Sequence, residues 1–347
     1  MKSQLGLQAP DACLRENLKR ILEARLLDDA QAAEVFSALA DAAASPVLKA
    51  GVLAALAARG TQAQELQAFA RALLTAAQGP IEAPERPLVD TCGTGGDGSG
   101  SFNVSSACAV LVASMGIQVA KHGNRSISSL SGSADFYSAL GVPQASTPQE
   151  VQRSLARSGF AFLFAPHFHP AMAGLADVRR ELGIRTLFNL LGPLVNPARP
   201  SHQLIGCTDH ASARLLAESS AQLGVQRAFV VVGFGGWDEA TPCGPFELIE
   251  QSAGRVTERR WLPEDFGLER CAPGELVGAD AEHNAQLLRQ LFAGQRGALR
   301  DAVLLNAALV LLLVEAAEEP LQAIERAGQA IDSGRAGNFL EHLTRGA

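Results

Sequence analysis

Five glycines crowd into the eight positions from Gly93 to Gly100, inside the segment DTCGTGGDGSGSFNVSSACAVLVASMG that runs from Asp90 to Gly116. Such glycine density is too costly in conformational entropy for the interior of a helix or strand, so it fixes a loop at this point. The residues before it, PLVDTC, read as a strand. Those after it, VSSACAVLVASMG, read as a helix starting near Ser105. A glycine loop between strand and helix can turn its N–H groups toward an anion, and the helix N-terminus adds unpaired N–H groups and the positive end of a dipole. A phosphate or diphosphate is the natural guest, with a merely flexible turn as the alternative. No Gly-Lys-Ser/Thr closes the loop, so it is not a Walker motif, and the third spacing of a dinucleotide fingerprint fails.

The same strand–helix rhythm continues downstream. IQVAKHG reads as a strand, HQLIGC as another, ASARLLAESSAQLG as a helix and RAFVVVGF as a strand, which together predict an α/β domain with a mostly parallel central sheet. Upstream, residues 1–77 read as helices alone: Leu14, Leu18, Ile21 and Leu22 share one helical face, then Leu48, Val52 and Leu56, then Leu66, Phe69 and Leu73. Asp28-Asp29, Ser45-Pro46 and Gly60-Thr61 separate these helices. Residues 78–87, with three prolines, read as a linker into the α/β domain, 88–347. Residues 147–192 return to helical patterning, and helices from about this stretch are expected to pack partly back on the N-terminal helices and join their domain. A final helical segment from about Asn306 to Ile331 is expected to cover one face of the sheet.

Three further motifs carry chemistry. KHGNRSISSLSGSAD gathers Lys121, His122, Asn124 and Arg125 with Ser126, Ser128, Ser129, Ser131 and Ser133 just past a strand end, where open α/β sheets bind ligands. VRRELGIRTLFNLLGPLVNPA brings Arg179, Arg180, Arg185 and Asn189 before a Gly192-Pro193 turn. An arginine fork suits a carboxylate and such a turn suits the wall of a flat pocket, although these arginines equally suit surface ion pairs. VVVGFGGWDEATP ends a valine-rich strand and sets Asp238 beside Glu239, a pair fit for Mg²⁺ or for a solvated acidic turn. His167 and His169 lack a third metal ligand at helical spacing and read as structural or pocket-wall residues. Cys92 reads as a packed strand residue.

In this order, GTGGD, KHGNRS, RTLFNLLGPLVNPA and the acidic pair make the chain resemble the anthranilate phosphoribosyltransferase family along nearly all its length. The resemblance implies a small helical domain joined to a larger α/β domain. It implies transfer of a phosphoribosyl group from 5-phosphoribosyl-1-diphosphate to anthranilate in tryptophan biosynthesis. By motif position, Gly93, Thr94, Gly95, Gly96, Asp97, Asn103, Ser105, Ser106, Lys121 and Ser133 would hold the diphosphate substrate. Gly93, His122, Asn124, Arg179, Gly192 and Pro193 would line the anthranilate path. Ser105, Asp238 and Glu239 would hold Mg²⁺, roughly two ions per subunit, and catalysis would be electrostatic, through Lys121 and the metal. A homodimer through the helical domain is also implied. Two departures stand out: GFGGWDE lacks the histidine-glycine start and the Asp-Gly-Leu that many relatives carry, and Leu130 replaces a lysine found in some.

Composition bears on the rivals, a pyrimidine nucleoside phosphorylase and a noncatalytic nucleic-acid-binding relative. A net charge of −7 argues against broad binding to nucleic acid or anionic membrane. KHGNR with the acidic pair favours a diphosphate substrate and a metal over a nucleoside and inorganic phosphate. No opening stretch reads as a secretory signal, no apolar run is long enough for a membrane span, and the six scattered cysteines form no CxxC pair, so a cytoplasmic enzyme with reduced thiols is expected.

Overall fold

The computed structural model describes residues 9–82, 87–125 and 130–345. Four helices open the chain: α1 (Pro10–Leu22), α2 (Asp29–Ala40), α3 (Pro46–Arg59) and α4 (Ala63–Thr75). Their boundaries follow local chemistry. Pro10 and Pro46 occupy first turns, where a missing N–H costs nothing. Asp28 accepts the Gln31 N–H (2.9 Å) while Gln31 Oε1 accepts the Asp28 N–H (3.2 Å), a reciprocal cap at the start of α2. Glu65, itself buried, accepts the Leu27 N–H (2.9 Å) and pairs with Arg59, locking the turn between α3 and α4. Leu14, Ile21, Val52, Leu56, Leu66, Phe69 and Leu73 are buried as their spacing predicts, whereas Leu22, one residue past Ile21 and off their common face, is 71% exposed.

The sheet follows with β1 (Leu88–Gly93), α5 (Val104–Ser114), β2 (Gln118–Gly123), α6 (Ser133–Leu140), β3 (Gln144–Ala145), α7 (Pro148–Ser158) and β4 (Phe160–Phe164). The segment Ser126–Ser129, which supplies three of the candidate serines, lies outside the described residues. Next come α8 (Ala165–Phe168), α9 (Ala173–Leu182), α10 (Leu187–Leu194), β5 (His202–Gly206), α11 (His210–Gln222), β6 (Arg227–Val232), β7 (Phe246–Ser252) and β8 (Arg255–Trp261). The chain closes with α12 (Ala281–Phe292), α13 (Ala298–Leu313), α14 (Pro320–Asp332) and α15 (Arg335–Thr344). The strand order is β3-β4-β2-β1-β5-β6-β7-β8. All pairings are parallel except β6–β7 and β7–β8.

Two expectations need correction. Residues 147–192 are not uniformly helical: β4, with the sequence FAFLF, enters the sheet beside β2, and α7 packs on β4 and β2. A strand buried on both faces shows no alternation, so its apolar run reads like a helix segment. Only α9 and α10 turn back onto the helical unit, against α2 and α3 and against α3 and α4. The C-terminal segment is likewise two helices, broken between Leu313 and Pro320. The first of them, α13, packs on α5, β5 and β6.

Adjacent residues of the central strands enter opposite cores, as the period of two requires. Leu204, Phe229, Val231 and Leu248 join α5, α12 and α13 on one face. Ile205, Val230 and Ile249 join α10, α11 and the four N-terminal helices on the other, so the helical unit and the sheet share a single hydrophobic core. Among the described residues no helix is long and apolar enough to cross a membrane.

Candidate active site

The site forms past the carboxyl ends of β1, β2, β5 and β6. At the end of β1 the Thr94 N–H donates to the Gly206 carbonyl (2.9 Å), after which the glycine loop leaves the sheet. Gly95 and Gly96 take left-handed conformations (φ 67° and 76°) that a β-carbon would strain. The loop returns through Ser101, which bridges Val277, and through Phe102, whose N–H donates to the Leu276 carbonyl (2.9 Å). α5 then starts at Val104.

The acidic pair reaches this loop because glycines make room. A β-carbon on Gly93 would overlap the Asp238 carboxylate, one on Gly206 the Asp238 carbonyl, and one on Gly233 the Glu239 carbonyl. The unusual GFGGWDE stretch closes as a tight turn, the Gly233 N–H donating to the Trp237 carbonyl (2.8 Å). Phe234 lies over Gly244 and Trp237 packs against the core. Asp238 Oδ2 accepts the Gly95 N–H (2.7 Å), and Glu239 Oε1 accepts the Ser105 N–H at the start of α5 (3.1 Å). Burial and the charge of Asp97 push Asp238 up to about 6, and burial with the charge of Asp238 pushes Glu239 up to about 8. Carboxylates thus occupy N–H groups that suit an anion, and their own charge is poorly compensated.

Lys121, buried on β2, brings a cation into the site. Its ammonium donates to the Thr91 carbonyl and to Ser105 Oγ (3.3 Å). Beneath it, Asp90 is fully buried and accepts the His122 N–H (3.3 Å) and the Asn196 amide (2.9 Å). Burial raises Asp90 to about 6, against the opposing pull of Lys121 and Asn196. Asn196 also donates to the Ala120 carbonyl (2.8 Å), tying the NPA segment after α10 to β1 and β2.

His122, on the same strand as Lys121, stacks edge to face on His169 (ring centroids 5.1 Å). Burial, with the neighbouring His169, holds His122 down at about 3, and burial holds His169 down at about 4, so both imidazoles are neutral at ordinary pH. His169 Nε2 lies 2.9 Å from the Val195 carbonyl, which can only accept, so this nitrogen carries the proton. The Gly192 carbonyl faces His122, and the Pro193 carbonyl accepts the Gln203 amide (2.7 Å), which fixes α10 against the sheet. Arg179, in the last turn of α9, lies over the Phe188 ring of α10 (5.7 Å), and its partial burial lowers its pKa. Arg180 instead pairs with Asp177 at the surface.

The remaining candidates divide. Asn103 spends its amide on the Ser131 carbonyl (3.1 Å) and its oxygen on Ser131 Oγ and Asn284, which makes it a clamp between the glycine loop, the segment before α6 and α12. Ser106 is buried in the first turn of α5. Ser133 Oγ donates to the Asn124 carbonyl (3.2 Å), while Asn124 itself is exposed. Sequence reasoning missed Asp90 and Asn196, although a lone carboxylate inside an apolar strand was a readable signal. It also placed Arg185 with the carboxylate-type arginines and not at the glycine loop. Arg185 reaches over the loop to Thr208 Oγ1 (3.1 Å) and the Gly95 carbonyl (3.4 Å).

The donor set suits a hard cation that bridges to a ligand better than one caged by protein. Among the described residues no three His, Cys, Asp or Glu side chains converge on one point. Mg²⁺, however, keeps waters and takes one or two carboxylates together with phosphate oxygens. Such an ion would favour the charged forms of Asp238 and Glu239, which burial disfavours without it.

The Glycosyl transferase family, a/b domain, matches residues 85–337, and the Glycosyl transferase family, helical bundle domain, matches residues 15–77. The chain is 44% identical over 330 residues to an anthranilate phosphoribosyltransferase of Brevibacillus brevis, covering 94% of this chain and 95% of that protein. It is 41% identical to another from Anaeromyxobacter sp., covering 96% and 99%. Among solved structures it superposes with a TM-score of 0.87 on anthranilate phosphoribosyltransferase from Thermus thermophilus, with 40% identity and coverage of 94% and 98%. The TM-score is also 0.87 on the Saccharomyces cerevisiae enzyme in complex with PRPP and Mg, with 26% identity and coverage of 96% and 98%.

Proposed function

The chain belongs to the anthranilate phosphoribosyltransferase family, and from that premise we propose how its residues share the work. The reaction moves the 5-phosphoribosyl group from 5-phosphoribosyl-1-diphosphate to the amine of anthranilate, giving N-(5-phosphoribosyl)anthranilate and diphosphate, a step of tryptophan biosynthesis. The enzyme works with Mg²⁺.

The observation that carries the residue assignment is the meeting of Asp238 and Glu239 with the N–H groups of Gly95 and Ser105. The diphosphate would take the N–H groups of Gly95 and Ser105 that the carboxylates now occupy, leaving Asp238 and Glu239 free to serve a metal ion. Asp238, Glu239 and Ser105 would hold Mg²⁺, in roughly two sites per subunit, and the ion would supply charge neutralisation on the diphosphate oxygens. As the sugar C1–O bond breaks, negative charge grows on the leaving diphosphate. The N–H groups of Gly95 and Gly96, with the Lys121 ammonium, oppose it in a site already arranged for the purpose. Arg185 braces the loop from the other side through the Gly95 carbonyl.

The acceptor needs orientation more than activation, because an aromatic amine is nucleophilic when neutral. Arg179, fixed by Phe188, reads the anthranilate carboxylate with its planar fork. Neutral His122, Asn124, Gly192 and Pro193 line the ring's path without adding charge, and no covalent enzyme intermediate is required. The protein acts as a cytoplasmic homodimer, with the helical unit as the contact surface. The test follows anthranilate fluorescence in the presence of phosphoribosyl diphosphate and Mg²⁺. Stoichiometric diphosphate release with loss of fluorescence is expected, both stopping on chelation. Phosphorolysis of a pyrimidine nucleoside instead would overturn the reading.

A further inference from the structure

We infer that Cys243 and Cys271 form a two-electron redox site, a dithiol that a peroxide or azo-type oxidant converts to an intramolecular disulfide. Their sulfur atoms lie 3.6 Å apart. Their backbones run side by side, the Cys271 N–H donating to the Pro242 carbonyl (3.1 Å). Cys13, Cys92, Cys108 and Cys207 are buried, and Cys271 alone of the six cysteines is partly exposed, so an oxidant in solution meets this pair first.

The pair joins two segments that matter to the site. Cys243 follows Glu239 closely in the chain. Cys271 leads into the Pro273–Leu276 turn, whose Leu276 carbonyl accepts the Phe102 N–H (2.9 Å). The next residues prop the glycine loop, Val277 bridging Ser101 and the Gly278 N–H donating to the Gly100 carbonyl (2.9 Å). A bond across 28 positions would tie the acidic segment to the support of the glycine loop, restricting the exchange of partners that substrate binding requires. That effect on turnover rests on the site proposed above; the disulfide itself does not.

With hydrogen peroxide the chemistry balances. The Cys271 sulfur attacks one oxygen, the O–O bond breaks, and the departing hydroxide takes a proton to become water, leaving a sulfenic acid. The Cys243 sulfur displaces its hydroxyl, which leaves as a second water, and the S–S bond forms. Two electrons pass from the sulfurs to the peroxide. Burial, with the adjoining Cys243, pushes the Cys271 thiol up to about 12, so little thiolate exists at neutral pH and the reaction is slow.

The test treats the purified full-length protein with diamide or peroxide, counts thiols in denaturant and maps unreduced peptides. Four thiols in place of six are expected, with the Cys243 and Cys271 peptides joined, no linked dimer, and a several-fold drop in turnover that dithiothreitol reverses. Cys271→Ser and Cys243→Ala should each keep their thiols and their turnover under the same treatment. Six remaining thiols, or a link through other cysteines, would overturn the site. A disulfide with unchanged turnover, or equal inactivation of Cys271→Ser, would overturn the coupling while leaving the transferase assignment intact.

Discussion

Replacing Glu239 with Gln should stabilise the ligand-free protein at neutral and alkaline pH while removing Mg²⁺-dependent turnover. Glu239 rises from 4.5 to about 8, through burial first and the charge of Asp238 second. A carboxyl that holds its proton more tightly when folded imposes no penalty on the fold below its unfolded pKa. The penalty grows as pH climbs through the interval and is complete above the folded value. At pH 7 the full shift corresponds to about 3 kcal/mol. Glu239 is partly reached by solvent, which screens the effect, so a gain of about 1–2 kcal/mol is expected from the variant. Gln keeps the volume and an oxygen for the Ser105 N–H. Thermal midpoints of both proteins in chelator, at pH 5, 7 and 8.5, provide the assay. The curves should nearly meet at pH 5 and separate upward for the variant. A constant separation across that range, or a variant less stable at pH 8.5, would refute the claim that ionised Glu239 strains the site.

Gly206→Ala should displace Asp238 and cut turnover by more than an order of magnitude, because its β-carbon meets backbone. Gly98→Ala, with φ 69° and open space around it, should cost only about 1 kcal/mol in a denaturant titration. Arg179→Ala should raise the KM for anthranilate far more than that for phosphoribosyl diphosphate, whereas Arg180→Ala should change neither; equal effects on both substrates in the first variant would make Arg179 structural. His122 and His169 have folded pKa values held below their ordinary 6.5. Their contribution is therefore complete above about pH 6.5 and fades as pH falls toward 3–4, by about 2 kcal/mol each at pH 5. A urea titration of His122→Asn at pH 7 and 5 should show a shallower acid loss than the parent.

What the sequence disclosed and what it hid follow from the range of the forces involved. The strand, glycine loop and helix from Leu88 to Ser114 were readable because glycine spacing and apolar runs act locally. FAFLF was hidden by burial on both faces. The β7–β8 hairpin went unread because FELIEQS alternates imperfectly and RVTERRW, at the sheet edge, is largely charged. Asp238 and Glu239 stood out as neighbours, but their descent onto the glycine loop depends on Gly93 and Gly206, far away in sequence. Asp90 with Asn196, 106 positions apart, is likewise a pairing that only the folded chain reveals.

The core that Ile205, Val230 and Ile249 share with Leu14, Phe69 and Leu191 decides which pieces of this protein can live alone. A fragment beginning at Leu88 would keep every strand of the sheet yet turn to water the apolar sides of α9, α10 and α11 that pack on α2, α3 and α4, an invitation to aggregate. The N-terminal helices, cut off at Thr75, would lose α9 and α10 and much of what they pack against. A recombination event or a cloning boundary placed in the proline-containing linker would follow the sequence's visible seam and still sever a single folding unit. The two parts are therefore expected to be inherited, expressed and degraded together.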